Sequence, residues 1–314
     1  MERRPKHECY NKSFDCCCCS RYPLLLGAMG EILTERSGNI NLGVEGEMFM
    51  GAMASIAASY FYTSHGGTSG FVSVLISVIF SFLLGAFGAL IYSFLVITLR
   101  ANQNVTGLIL TIFGTGFGNF FGAYIPKATG ETLVVSDFTK AMYSNIGPFN
   151  WMVYFAIIIA IILAIFLFKT RQGLSLRAVG ENASAADTVG INVAKYRYFA
   201  TVIGGGICGL GGMYIAMVQQ GGNWVDDCVS GYGWLAVALV IFASWRTTKA
   251  LWVALIFGGL KIARFYVNLP IPDQIYDMAP YIVTIVILVL TSMTGNKENS
   301  QPKACGVNYF REER

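Results

Sequence analysis

The sequence predicts an all-α, polytopic transmembrane bundle of about eight helices, and three observations predict it. Of 314 residues, 54% are hydrophobic and only 13% are charged, where soluble domains carry about 25% charged residues. The mean hydropathy of +0.55 agrees. Apolar runs of spanning length recur along the chain, and its Lys and Arg residues fall between alternate runs. Too few charges exist to coat a soluble domain of this size. The same scarcity excludes a disordered chain.

Taken in order, the runs lie at 42–62, 70–98, 103–122, 150–168, 197–219, 231–245, 249–268 and 279–293. The piece 22–33 is apolar but too short to span alone. The run 231–245 is also short, which predicts a half-helix or a tilted, protein-buried segment. One side of the alternation receives Arg100, then Lys169, Arg171, Arg177, Lys195 and Arg197, then Arg246 and Lys249, then four cations in the tail. With the N-terminal segment and Arg36 it holds 18 of the 22 Lys and Arg residues. The positive-inside rule makes that side cytoplasmic. The connections 123–149 and 269–278 are then external, and no cleavable secretory signal is visible.

The segment Glu31–Glu47, with Glu35, Arg36, Glu45 and glycines 38, 43 and 46, puts five charges and several breaks between two apolar pieces. Ionisable groups in membrane helices cost about 2.5–3.5 kcal/mol each on insertion scales, so they persist mainly where they pair or line a water path. Glu35 and Arg36 can pair locally. Two readings follow: a discontinuous helix lining a translocation path, or a charged turn ahead of a helix. In the longest basic connection, Asn182 reads as an N-cap, Ala183–Val189 as a short helix and Gly190 as its stop. That helix either docks into a groove on another protein or is a solvated linker.

Gly204–Gly209 matches GxGxxG by letters, yet it sits inside an apolar run with no strand before it, so a dinucleotide site is rejected. Small residues at Gly205, Gly209, Gly211 and Gly212, and at Gly118 and Gly122, predict close helix packing. Asn102, Gln103, Asn104 and Thr106 open the third run, where Asn102 reads as a cap and the others as polar candidates. Asn119, Gln219, Gln220 and Asn223 are further polar candidates near external ends. Lys261 and Arg264, one turn apart, are expected to snorkel or pair with Asp273 or Asp277.

The only histidines are His7 and His65, which rules out HExxH zinc sites, and no Gly-Lys dipeptide occurs, so there is no phosphate loop for ATP. Cys16–Cys19 form one unspaced run with no second, separated CxxC pair; acylation or an irregular start explains them at least as well as a metal or redox site. Nothing resembles a nucleic-acid-binding surface, because no basic cluster is interleaved with aromatics. Domain limits follow: a polar, Cys-rich segment at 1–22, a transmembrane domain at 23–293 holding the connection 169–196, and a cytoplasmic tail at 294–314.

Three blocks together resemble a known family: Gly30–Gly46 (GEILTERSGNINLGVEG), Leu99–Gly107 (LRANQNVTG) and Thr170–Asn182 (TRQGLSLRAVGEN), the last continued by Ala185–Val193. With a weaker echo at Pro280-Tyr-Ile-Val-Thr, they cover about Pro23 to Met293 in register. The chain is similar to the membrane-spanning permeases of bacterial ABC importers, in the nucleoside and simple-sugar branch related to ribose and branched-chain amino-acid permeases. The resemblance implies a non-enzymatic transport subunit of the bacterial cytoplasmic (inner) membrane, embedded in lipid, that passes a nucleoside-like solute inward. It binds no cofactor itself. Its partners would be a cytoplasmic ATPase subunit that hydrolyses ATP, a second homologous permease and an external substrate-binding protein, often a lipoprotein. The path would be lined by Asn39, Asn41, Glu45, Asn104 and Thr106. ATPase coupling would fall to Glu181, Asn182, Ala185, Ala186, Asp187 and Gly190. The break at 39–47 and the short run 231–245 would be counterparts in two inverted-repeat halves.

Three departures stand out. Where related chains carry a full helix before Pro23, this one has polar, Cys-rich residues, as a truncated or reassigned start would give. Gly231-Tyr-Gly233 replaces a more usual Gly-Arg-Gly, and Ser244-Trp-Arg-Thr-Thr248 replaces a Gly-Arg-Trp-Asn-Pro-like turn. Riboflavin and simple sugars are alternative substrates. An ion-coupled secondary transporter is the rival class, and it would need a coupling-ion site beyond Glu45 and Glu47. A membrane-embedded enzyme has no nucleophile–base pair to support it.

Overall fold

Seven of the eight expected apolar runs are helical in the computed structural model, which describes residues 22–143, 145–146, 149–263, 278, 282–283, 285–286, 289 and 301–310. The eighth, at 279–293, falls mostly outside the described residues, as do the N-terminal segment, Arg264, Asp273 and Asp277 and the side chain of Lys261. In chain order the helices are α1 (Tyr22–Glu35), α2 (Val44–Ser64), α3 (Gly70–Ser93) and α4 (Gln103–Thr129). Then come α5 (Asp137–Met142), α6 (Trp151–Lys169), α7 (Arg171–Glu181) and α8 (Ala183–Thr188). Last are α9 (Val193–Tyr214), α10 (Tyr232–Phe242) and α11 (Thr247–Ala263). A two-residue antiparallel ribbon, Asn145–Ile146 with Phe149–Asn150, is the sole sheet among the described residues.

Four of these helices are long and apolar enough to cross a bilayer: α3, α4, α6 and α9, with α3 and α9 each prolonged by a π-turn to Thr98 and Gln219. The apolar stretch of α9 is 83% buried, against 33% for each of the other three. So α9 is the axis of the bundle, packed on α1, α2 and α3. On α3, α4 and α6 the outward side chains are large and apolar, Phe80, Ile112 and Ile162 among them, as a lipid-facing surface requires.

The glycines explain how α9 reaches the centre. A Cβ on Gly204 would lie 2.6 Å from the Gly30 carbonyl oxygen of α1, one on Gly51 of α2 2.3 Å from the Gly209 carbonyl, and one on Gly85 of α3 2.5 Å from that of Gly205. The Gly-rich run is therefore a packing face, as expected, and it brings three neighbours to near backbone contact. Serines add directional bonds: Ser59 and Ser73 hydroxyls meet at 2.7 Å, and Ser81 donates to the Gly209 carbonyl at 2.8 Å.

The charge alternation reappears as geometry. Arg36, Arg100, the α7–α8 connection and Trp245 gather at one end, through bonds such as Arg36 Nη2 to the Trp245 carbonyl at 3.0 Å. At the other end the 123–143 and 220–230 segments interlock, with Val135 N–H on the Gly222 carbonyl at 2.9 Å and Asn119 on Asp227 at 2.8 Å. Tyr22, the first residue of α1, stacks obliquely on Tyr214, away from Arg36. The N-terminal segment expected on the side of Arg36 lies outside the described residues.

Candidate functional site

Helix α1 stops because Gly38 adopts a left-handed φ of +97°, a conformation that favours glycine. The segment 36–43 then crosses the basic end of the bundle without helix: backbone bonds hold 36–38, and mainly side chains hold 39–43. Gln103 Oε1 accepts the Ile40 N–H at 2.8 Å, and the Tyr92 hydroxyl donates to the Ile40 carbonyl. Asn39 donates to Thr201 at 3.0 Å, while its buried Oδ1 has no hydrogen-bond partner among the described residues. Asn41 is the hub: its N–H faces Glu31 Oε1 at 3.3 Å, its Nδ2 donates to Glu47 Oε1 at 2.7 Å, and its Oδ1 accepts the Gly43 N–H at 2.9 Å. Thus α1, α2, α3, α4 and α9 all contribute to one buried polar knot around an unwound backbone.

Glu45 lies apart from that knot. It faces the backbone N–H groups of Gly231, Gly233 and Trp234, which open α10. A Cβ on Gly233 would sit 2.3 Å from Glu45 Cβ, so no larger residue fits the junction. The N-termini of α2 and α10 therefore converge, and the two helices run from there toward opposite ends. With 11 residues, α10 is about 16 Å long and is the half-helix expected from its short run. Glu45 supplies negative charge where two positive helix ends meet. Its Oε2 is buried with no hydrogen-bond partner among the described residues.

The expected local pair Glu35–Arg36 is replaced by a double clasp on one residue. The Trp245 indole N–H donates to Glu35, while Arg36 Nε and Nη2 donate to the Trp245 carbonyl at 3.1 and 3.0 Å. One residue, 209 positions from Arg36, thus hydrogen-bonds both groups, through its indole N–H and its carbonyl, and burial pulls the Arg36 guanidinium below its ordinary range, opposed by the charge of Glu181.

The third feature is the α7–α8 connection. Asn182 Oδ1 caps α8 on the Ala185 N–H at 3.0 Å, and Gly190 ends it at φ +86°. Glu181, Asn182, Ala185 and Gly190 line its outer side, whereas Ala183 and Ala186 pack inward on Val179 and Val193. The small Ala face expected to dock outward is thus half internal. Asp187 accepts the Tyr309 hydroxyl at 2.7 Å.

Of the five expected path residues, Asn39 and Asn41 share the knot and Glu45 occupies the half-helix junction. Thr106 is buried but donates to the Asn102 carbonyl at 2.8 Å, and Asn104 points outward, exposed. Besides those residues, the knot and the junction hold Glu31, Glu47, Gln103, Tyr92, Thr201 and Gly233. A signal for the first two existed, since each is a carboxylate inside an otherwise apolar helix. Gln103 already reads as a polar candidate and Gly233 lies in a departure from the family pattern, whereas Tyr92 and Thr201 are ordinary in sequence and acquire meaning only from α3 and α9 meeting here.

A multi-pass helical membrane protein with interrupted helices meeting inside the bundle is a solute-conducting class of protein. Residues 19–290 match the family described as branched-chain amino acid transport system / permease component, and the chain belongs to that family. It is 35% identical to a guanosine ABC transporter permease protein of Bacillus subtilis, over 93% of this chain and 94% of the relative. With a nucleoside ABC transporter permease protein of Lactococcus lactis it shares 33% identity over 92% of this chain and 93% of the relative.

Proposed function

We propose that this chain passes a nucleoside-like solute from an external binding protein into the cytoplasm, as one of two homologous permeases in the bacterial inner membrane. A separate cytoplasmic ATPase docks on Glu181–Gly190 and drives the change, and this chain binds no cofactor. The observation that carries the reading is the convergence of the α2 and α10 N-termini at Glu45, beside the unwound 36–43 segment. Half-helix ends and non-helical backbone inside a bundle are what polar, hydroxyl-rich solutes need in place of their lost water. Names and identities of the relatives supply the solute class.

In this reading Glu45 holds α10 in register until the ATPase moves the basic end. Displacing α10 by a few ångströms would uncover Glu45 and the N–H groups of Gly233 and Trp234 to a ribose or base edge. Asn39 and Asn41 would hold the adjoining wall, and the outward-facing Asn104 stands farthest from such a path. The experiment is a binding and uptake screen with the partner binding protein, using nucleosides, riboflavin and pentoses. Nucleosides are expected to bind and be taken up. Binding of riboflavin or a pentose alone would overturn the solute assignment.

A further inference from the structure

The segment 301–310 lies outside the 19–290 family match and has no helix or strand, yet at the basic end it bonds to α7, α8, α9, the start of α4 and the unwound segment. Ala304 N–H donates to the Gly180 carbonyl of α7 at 2.9 Å, and Gly306 N–H to the Gly38 carbonyl at 3.2 Å. Arg197 of α9 donates to the Val307 carbonyl at 3.1 Å. Asn308 is bidentate: its Nδ2 donates to the Arg100 carbonyl at 2.8 Å, and its Oδ1 accepts from Gln103 Nε2 at 3.2 Å. Phe310 lies under the Arg100 guanidinium, 4.5 Å from ring centroid to carbon. Finally the Tyr309 hydroxyl holds Asp187 of α8.

These bonds form a short relay. Asp187 meets Tyr309, its neighbour Asn308 meets Gln103, and Gln103 Oε1 accepts the N–H of Ile40 in the unwound segment. Arg100, whose carbonyl Asn308 reads, has φ +56°, a strained value for a non-glycine residue. The strap has no helix or strand of its own, is mostly half-buried, and is anchored to the bundle by separate polar bonds at Ala304, Gly306, Val307, Asn308 and Tyr309, so a shift of any one anchored element is felt along it.

We propose that residues 301–310 are a clasp that transmits movement of α8 to the 36–43 segment, with Tyr309 and Asn308 as the positioning residues at its two ends. The clasp rests on the reading that an ATPase docks on 181–190, and it adds the route by which docking reaches the membrane interior. Neither residue touches solute or nucleotide. Each acts through its neighbour, Asp187 or Gln103.

The test uses the full complex in proteoliposomes, with tritiated guanosine as the transported probe. Tyr309→Phe and Asn308→Ala are expected to leave ATPase co-purification intact and ATP hydrolysis within about twofold of wild type. Guanosine moved per ATP hydrolysed should fall about five- to tenfold, the lower end of ordinary coupling free energies. A purely structural role would lower the amount of folded complex and leave that ratio alone. A second readout follows Cys305, partly buried between the strap and the bundle, in a variant whose other cysteines are serine. Its maleimide labelling should accelerate when vanadate traps the ATPase, and Tyr309→Phe should remove that acceleration. If ATPase binding holds and both variants keep the wild-type ratio, the clasp is wrong while the docking reading stands. If Glu181→Arg with Asp187→Arg still binds and couples the ATPase, the docking reading itself fails. Tyr309→Phe deletes one oxygen, and its ratio alone decides the matter wherever Asn308→Ala does not reach the membrane.

Discussion

Replacing Gly233 by alanine tests the half-helix junction at its narrowest point. The new Cβ would lie 2.3 Å from Glu45 Cβ, 2.4 Å from its Cα and 2.5 Å from its N. All three belong to or adjoin the α2 backbone, so no side chain can rotate away. Reaching ordinary carbon contacts of about 3.5 Å requires α10 to shift by about 1 Å. Overpacking of this kind costs about 1–3 kcal/mol, equivalent to about 5- to 150-fold in an equilibrium. The assay is twofold: heat the detergent-extracted chain and measure the fraction that stays monodisperse, then measure nucleoside uptake by the complex. Gly116→Ala on α4 is the control, because nothing lies within 4 Å of its Cβ position and alanine gains up to about 1 kcal/mol over glycine in a helix. Gly233→Ala should melt lower and transport less, while Gly116→Ala should equal or exceed wild type. Equal thermal stability and equal uptake for both variants would refute the close junction.

Further outcomes follow from the same geometry. Asn41→Ala strips the partners of Glu47 Oε1 and the Gly43 N–H, each costing about 1–3 kcal/mol, so the extracted protein should lose its folded fraction at markedly lower temperature. Asn104→Ala, an exposed site, should melt close to wild type in the same assay. Asp187→Arg should abolish co-purification of the ATPase while membrane insertion, read by extraction yield, stays normal. Burial, with Asp227 and Asp226 adding to it, pushes the Cys228 thiol up to about 12. Against an ordinary thiol near 8.5, the reactive thiolate is scarcer by about three orders of magnitude at neutral pH. Alkylation near neutral pH should therefore be very slow and climb steeply as pH rises; rapid labelling near neutrality would contradict that placement.

Local chemistry made much of this structure legible from sequence. Asn182 and Gly190 bound a short helix because a side-chain acceptor and a left-handed residue are what helix ends require. The α9 glycines read as a packing face because small residues recur at helical spacing. The short run 231–245 read as a half-helix because its length falls short of a bilayer. Pairings between distant residues left no local trace. Arg36 and Glu35 both chose Trp245, and Gln103 joined Ile40 to Asn308, across separations that carry no period. Asn104 and Thr106 were grouped with the path by proximity along the chain. One helical turn of α4 then sent Asn104 outward and turned Thr106 back on its own helix.

One measurement bears most directly on transport itself. The chain, co-expressed with its partner ATPase, second permease and binding protein, should take up tritiated nucleoside. Uptake should stop with vanadate and persist when an uncoupler collapses the ion gradients. Uptake that survives vanadate and disappears with the uncoupler would mean an ion-driven carrier and contradict the ATP-driven permease.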